Sequence, residues 1–209
     1  MLTLFGFKRS GSAAVELALE VANIPYRIIE AATWEPSTQM DALRKVNPLA
    51  QIPTLVFPDG SIMTESVAIL IHLGLQAPAG LLLPEDEAAR AQAIRGLVFI
   101  AANCYSAISI SDYPERWTSD PSEAALNALR AGTRARLHAN WNIFADTFPA
   151  RPFLSGDKPG ALDFLAAVVT RWSGTRAHLQ ADRPAFHETL QRIEADERVA
   201  PVFRRHWET

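Results

Sequence analysis

Val46-Asn47-Pro48-Leu49-Ala50-Gln51-Ile52-Pro53-Thr54-Leu55-Val56-Phe57, continuing through Pro58-Asp59-Gly60-Ser61 to Ile62-Met63-Thr64-Glu65-Ser66, decides how the whole chain is read. The apolar run after Pro53 is short and rich in β-formers, and Asp59-Gly60 supplies a tight turn before a returning strand at Ile62-Met63. Thr64 or Glu65 then opens Val67-Ala68-Ile69-Leu70-Ile71-His72-Leu73, which reads as an apolar helix. Loop, strand, turn, strand and helix therefore meet at one sheet edge.

Toward the N-terminus, Leu2 to Phe7 predicts a first strand, interrupted by Lys8 to Gly11. Ser12, or Ser10 with a slightly earlier start, is expected to cap a helix carrying Val15, Leu17, Ala18, Leu19 and Val21. Asn23-Ile24-Pro25 stops that helix before a second strand, Tyr26 to Glu30. A crossover of that length favours a parallel pair joined by a right-handed connection. Trp34-Glu35-Pro36-Ser37 reads as loop, with Ser37 or Thr38 capping a short helix that contains Met40, Leu43 and Val46. The order is βαβαββα, a compact α/β domain over residues 1–76.

Beyond a linker at 77–84 the hydrophobic period changes. Asp86 through Ile110 places Ile94, Leu97, Val98, Ala101, Cys104, Tyr105 and Ile108 at three-and-four spacings, a long-helix pattern that Tyr113-Pro114 ends. A second long helix is expected to begin near Ser119 to Glu123, where Asp120-Pro121 offers a cap followed by proline at the first helical position. Its apolar face carries Leu126, Leu129, Leu137, Trp141, Phe144 and Phe148. A third helix contains Leu162, Phe164, Leu165, Val168, Val169 and Trp172, and Pro184 and Pro201 punctuate shorter terminal helices. Such helices need one another to bury their apolar faces, so residues 85–209 are expected to form an all-helical bundle.

Composition narrows the function. The 209 residues carry a formal charge of -3 with no basic cluster at either end, which leaves no argument for a nucleic-acid partner. No uninterrupted apolar segment approaches the roughly 20 residues that cross a bilayer, and Lys8-Arg9 comes too early for a secretory leader, so no membrane partner and a cytoplasmic location are expected. Cys104 is the single cysteine, which excludes an intramolecular disulfide, a dithiol site and a multi-cysteine zinc site. Five scattered histidines lack ligand spacing, and no metal is expected.

The combination NPLAQIPTL, DG and TES before an apolar helix resembles the glutathione-binding half of the glutathione S-transferase family, and the resemblance extends over essentially the whole chain. It implies a thioredoxin-like N-terminal domain, glutathione as cosubstrate and a homodimer. It also implies that Pro53 is cis, that the strand edge at Ile52 binds the cysteinyl backbone of glutathione, and that Glu65 and Ser66 hold the γ-glutamyl end. In physical terms Glu65 can accept from the tripeptide's amino group, while Ser66 with its backbone N–H can hold the carboxylate. Gln51 can reach the glycyl carboxylate, with Trp34 and Arg44 further contributors on that side.

In this family the activating hydroxyl or cysteine sits just after the first strand, which points here to Ser10, with Ser12 second. Phe5 and Phe7 exclude the early tyrosine, and no cysteine stands in this loop. Lowering a thiol from its free pKa near 8.5 by about two units requires roughly 2.7 kcal/mol of differential stabilisation, which a hydroxyl and the first-helix N-terminus can supply together. The electrophile pocket is expected between the early loop at Phe7 and the first long helix, from Asn103, Tyr105, Ser109 and Tyr113, with Trp117 nearby. Cys104 reads as core. The Tyr105 hydroxyl reads equally as proton donor, substrate contact or interhelical group. Asp163 resembles the family's structural aspartate, although Gly160 stands at the N-cap where a hydroxyl residue is usual, which leaves Asp163 to hold the loop backbone alone. Two functions follow as expectations. The first is a transferase attacking small hydrophobic electrophiles, with peroxide reduction as a variant; the second is a non-catalytic binding protein on the same frame.

Overall fold

The computed structural model describes residues 1–36 and 38–208. Its first half is a four-stranded mixed sheet in the order β2-β1-β3-β4, built from β1 (Leu2–Gly6), β2 (Tyr26–Glu30), β3 (Thr54–Val56) and β4 (Ile62–Met63). β1 pairs parallel with β2 across the helix α1 (Ser12–Val21) and antiparallel with β3. Asp59 closes the β3-β4 turn by accepting the Ser61 N–H at 2.9 Å, and Gly60 takes the left-handed φ of 87° that the turn demands. The helices α2 (Met40–Val46) and α3 (Ser66–Gln76) complete the βαβαββα order expected from the sequence.

β1 is buried along its whole length because helices cover both faces. Leu2 and Leu4 point into the main core with α1 and α3, whereas Phe5 packs on the other side with Ala31 and Leu43. The helical half contains α4 (Glu87–Phe99) and α5 (Ser106–Asp112), joined by a π turn at Ile100–Tyr105. It continues with α6 (Glu123–Thr147), α7 (Ala161–Val169), α8 (Thr175–Asp182), α9 (Pro184–Ala195) and α10 (Ala200–Trp207). The run Glu87–Asp112 is long and apolar enough to cross a bilayer by length and composition. Here Ala93, Leu97, Ile100, Cys104 and Ile108 from it enter the core, which also takes Leu17 from α1, Leu70 from α3 and Phe164 from α7. One apolar core thus runs through both halves.

Several helix starts differ from expectation, each because a side chain has a better partner. Gly11, not a serine, occupies the α1 N-cap, and Ser12 is the first helical residue. The Ser12 hydroxyl turns back to accept the Phe7 N–H at 3.2 Å, in space that a β-carbon on Gly6 would occupy. Thr38 does not cap α2, whose N-cap is Gln39; its hydroxyl accepts the Ala32 N–H and donates to the Glu35 carbonyl, tightening the preceding loop. Ser37 lies outside the described residues. α6 starts at Glu123, capped by Ser122, while Asp120 accepts the Ser122 N–H at 2.9 Å and Pro121 stays ahead of the helix.

Asp163 ties down the loop that precedes α7. Fully buried, it accepts from the backbone N–H of Leu154, Ser155 and Gly160 at 2.8, 2.9 and 3.1 Å. Burial pushes its carboxyl up to about 6, against the opposing pull of these hydrogen bonds. Glycine stands at the N-cap for a steric reason. A β-carbon on Gly160 would lie 2.6 Å from the Leu82 carbonyl, which accepts the Ala161 N–H.

Candidate functional site

A cleft of about 1000 Å³ opens between the sheet edge and the first long helical run. One wall is the loop from Asn47 to Pro53. Asn47 is buried and shapes it, donating to the Gln51 carbonyl and to Thr54 Oγ1 at 3.0 Å each and accepting the Leu49 N–H at 3.1 Å. The Ile52-Pro53 peptide is cis, as the resemblance implied. Among the described residues the backbone N–H and C=O of Ile52 have no partner, so the chain edge there is open to an extended ligand.

The adjoining corner is Glu65-Ser66. Glu65 is the N-cap of α3 but makes no capping bond with its side chain; its backbone adopts φ 64° and ψ 108°, a left-handed conformation rare for a residue with a β-carbon. The exposed carboxylate borders the cleft, and Ser66 begins the helix whose first N–H groups are unpaired by geometry. Gln51, Ile52, Pro53, Glu65 and Ser66 are thus brought to one face of one cavity.

At the floor stands the β1-α1 loop. Ser10 borders the cleft, yet its side chain is buried and turned inward. Its hydroxyl donates to the Phe7 carbonyl at 2.8 Å, accepts the Ser12 N–H at 3.2 Å and lies 2.8 Å from Ser12 Oγ. Ser12 Oγ in turn reaches the same carbonyl at 3.2 Å and does not line the cleft. The two hydroxyls hold the loop together. Behind them Glu16, a buried carboxylate of α1, joins α10: it accepts from His206 Nε2 at 2.8 Å and from Arg205 at 2.6 Å, and Arg205 also binds Glu20. His206 Nδ1 accepts the Arg9 N–H at 3.2 Å, which fixes the ring proton on Nε2. The C-terminal helix therefore pins the loop at Arg9, a residue held at φ 60°.

The helical wall supplies Tyr105, Ser109, Asp112, Tyr113 and Arg116, with Trp172 and Trp34 beyond them. Arg116 stacks over the Tyr113 ring at 4.1 Å, and burial pushes the Asp112 carboxyl up. Of the expected pocket residues, Tyr105, Ser109 and Tyr113 line the cleft, whereas Phe7 and Asn103 do not. Phe7 meets Trp34 edge-on at 6.1 Å and stands behind it. The Asn103 amide turns back along its own helical run to donate to the Phe99 carbonyl at 3.2 Å, while its backbone carbonyl, within the π turn, accepts from Asn140 of α6 at 2.7 Å. Arg44 pairs with Asp41 on the surface, and Trp117 is exposed outside the cleft. Cys104 is fully buried and its thiol is pushed up to about 12, so it stays uncharged and packs as core. Arg9, Asp112, Arg116 and Trp172 were not singled out as pocket residues by sequence pattern, because nothing local marks which face of a loop or helix will meet a distant sheet edge.

The family model described as "Glutathione S-transferase, N-terminal domain" matches residues 12–76. The Uncharacterized GST-like protein YncG of Escherichia coli (strain K12) is 29% identical over 174 residues, covering 82% of each chain. The crystal structure of a glutathione transferase homolog from sulfitobacter, with bound glutathione, superposes with a TM-score of 0.84 at 24% identity, covering 98% of each chain. A sphingomonad glutathione S-transferase complexed with glutathione gives 0.77 at 20% identity, again over 98% of each. The N-terminal match, a relative similar over most of its length and the same two-part architecture in solved structures show that this chain carries a glutathione S-transferase N-terminal domain at residues 12–76 and has the glutathione S-transferase fold.

Proposed function

We propose that this protein binds glutathione in the cleft and activates its thiol for attack on a small hydrophobic electrophile. The observation that carries the reading is the open chain edge at Ile52 facing, across one cavity, a carboxylate and a helix start at Glu65-Ser66. A zwitterionic γ-glutamyl group needs an acceptor for its ammonium and N–H donors for its carboxylate; that corner offers both. The peptide part needs an unpaired strand edge, which Ile52 supplies. Solved relatives that hold glutathione in the same fold support the assignment. The electrophile would occupy the outer cleft, where Trp34, Tyr113 and Trp172 give aromatic surface. Peroxide reduction uses the same bound thiol and is the variant reaction.

Titration with glutathione, followed by heat and by the thiolate ultraviolet band, tests this. Binding with a band at a pH where free glutathione is mostly thiol is expected; absence of binding refutes the proposal. The inward engagement of both serine hydroxyls favours a second reading, a passive binder, which would take up glutathione with no band. We place the protein in the cytoplasm, where its cosubstrate is abundant, and expect a homodimer, checked by light scattering.

A further inference from the structure

The two serines leave the thiol without a hydroxyl from the β1-α1 loop, because both of their protons point at the Phe7 carbonyl or at each other. A different hydroxyl stands at the start of α1. A β-carbon built on Gly11 would lie 2.1 Å from Tyr105 Oη, so the phenol rests directly against the N-cap of that helix, in space only glycine leaves open. Tyr105 ends the π turn, and its ring is packed at 5.8 Å against Trp172. Among the described residues its hydroxyl has no hydrogen-bond partner, although it lines the cleft. Ser106, its neighbour, donates instead to the Ala102 carbonyl at 2.7 Å.

We propose that the Tyr105 hydroxyl, held over Gly11, donates the hydrogen bond that stabilises the glutathione thiolate; this rests on the glutathione reading above. The thiol proton leaves to water through the open cleft, no covalent bond forms in this step, and Tyr105 keeps its own proton throughout. Burial, with the nearby charges of Asp112 and Glu65, raises the phenol above its ordinary range, so it remains a donor at neutral pH. The helical half of the chain thereby completes the active site, and the π turn is the device that aims the phenol at α1.

Tyr105→Phe keeps the ring against Trp172 and removes only the hydroxyl. Its complex should lose the thiolate band at neutral pH, and kcat/KM with a reactive electrophile should fall about 10- to 100-fold, as expected for a hydrogen bond to a charged group, recovering toward wild type at alkaline pH. Glutathione affinity near pH 5, where the thiol is protonated in either protein, should be unchanged. Gly11→Ala, which displaces the hydroxyl while leaving it chemically intact, should lose the band as well. A wild-type band in either folded variant overturns the assignment to Tyr105 and leaves the glutathione reading standing; a slower Tyr105→Phe with an intact band would move the hydroxyl to the electrophile. Failure of the wild-type protein to bind glutathione overturns both.

Discussion

Replacing Glu16 by glutamine should destabilise the protein far more than so small a change in shape implies. Its carboxylate is 3% exposed and takes hydrogen bonds from two sides, His206 Nε2 on one oxygen and Arg205 on the other. An amide has one acceptor and one donor end, so either orientation sets a donor against a donor. If the amide faces His206, the imidazole can escape only by moving its proton to Nδ1, which then confronts the Arg9 N–H. A buried donor without an acceptor costs about 1–3 kcal/mol. The weakened bonds to Arg205, whose side chain is 47% exposed, add roughly 0.5–1 kcal/mol after solvent screening. A loss of about 1.5–4 kcal/mol at neutral pH follows.

The pH dependence has a definite sign. Burial alone would raise the Glu16 carboxyl, but the hydrogen bonds from His206 and Arg205, with the Arg205 charge, outweigh it and hold it below the ordinary 4.5. Its contribution is therefore complete above the unfolded value and disappears as pH falls through the folded one. Urea denaturation of wild type and Glu16→Gln over a pH series should show curves far apart near neutrality that converge in acid. A variant within about 0.5 kcal/mol of wild type, with the same acid limb, would refute the reasoning, since that is the scatter of ordinary surface changes.

Glu65→Gln should weaken glutathione binding about tenfold or more in calorimetry, the scale of one charge-assisted hydrogen bond, with an unchanged melting temperature. Asn47→Ala removes two donations and one acceptance that shape the loop ahead of Pro53, so it should lower stability by about 2–3 kcal/mol in denaturant titrations and raise the KM for glutathione. Gly160→Ser would restore the hydroxyl usual at that N-cap, yet it should destabilise by about 1–3 kcal/mol in the same assay, because the β-carbon meets the Leu82 carbonyl at 2.6 Å.

The side of the cleft proposed to hold glutathione is legible in the sequence because it is built from contiguous chain. Gln51, Ile52, Pro53, Glu65 and Ser66 lie within sixteen residues, and a loop, a hairpin and a helix start fix their mutual placement locally. The order of strands and helices is legible for the same reason. Residue spacing does not reveal the β1-α1 loop, where a hydroxyl's direction depends on which carbonyl it finds; Ser10 and Ser12 both found Phe7. Nor does it reveal the π turn, where the Asn103 side chain folds back onto the Phe99 carbonyl and its backbone carbonyl is left to accept from Asn140. Glu16 and His206, separated by 190 positions, carry no joint signal in a single sequence.

The backbone at Glu65 has a consequence for anyone who would engineer this protein. At φ 64° a glycine would sit without the steric penalty of a β-carbon, roughly 1–2 kcal/mol, so selection for heat resistance alone should drift toward Glu65→Gly. The hardier descendants would have surrendered the carboxylate proposed here to meet the tripeptide's amino group. Thermal robustness and cosubstrate capture therefore pull in opposite directions at a single torsion angle.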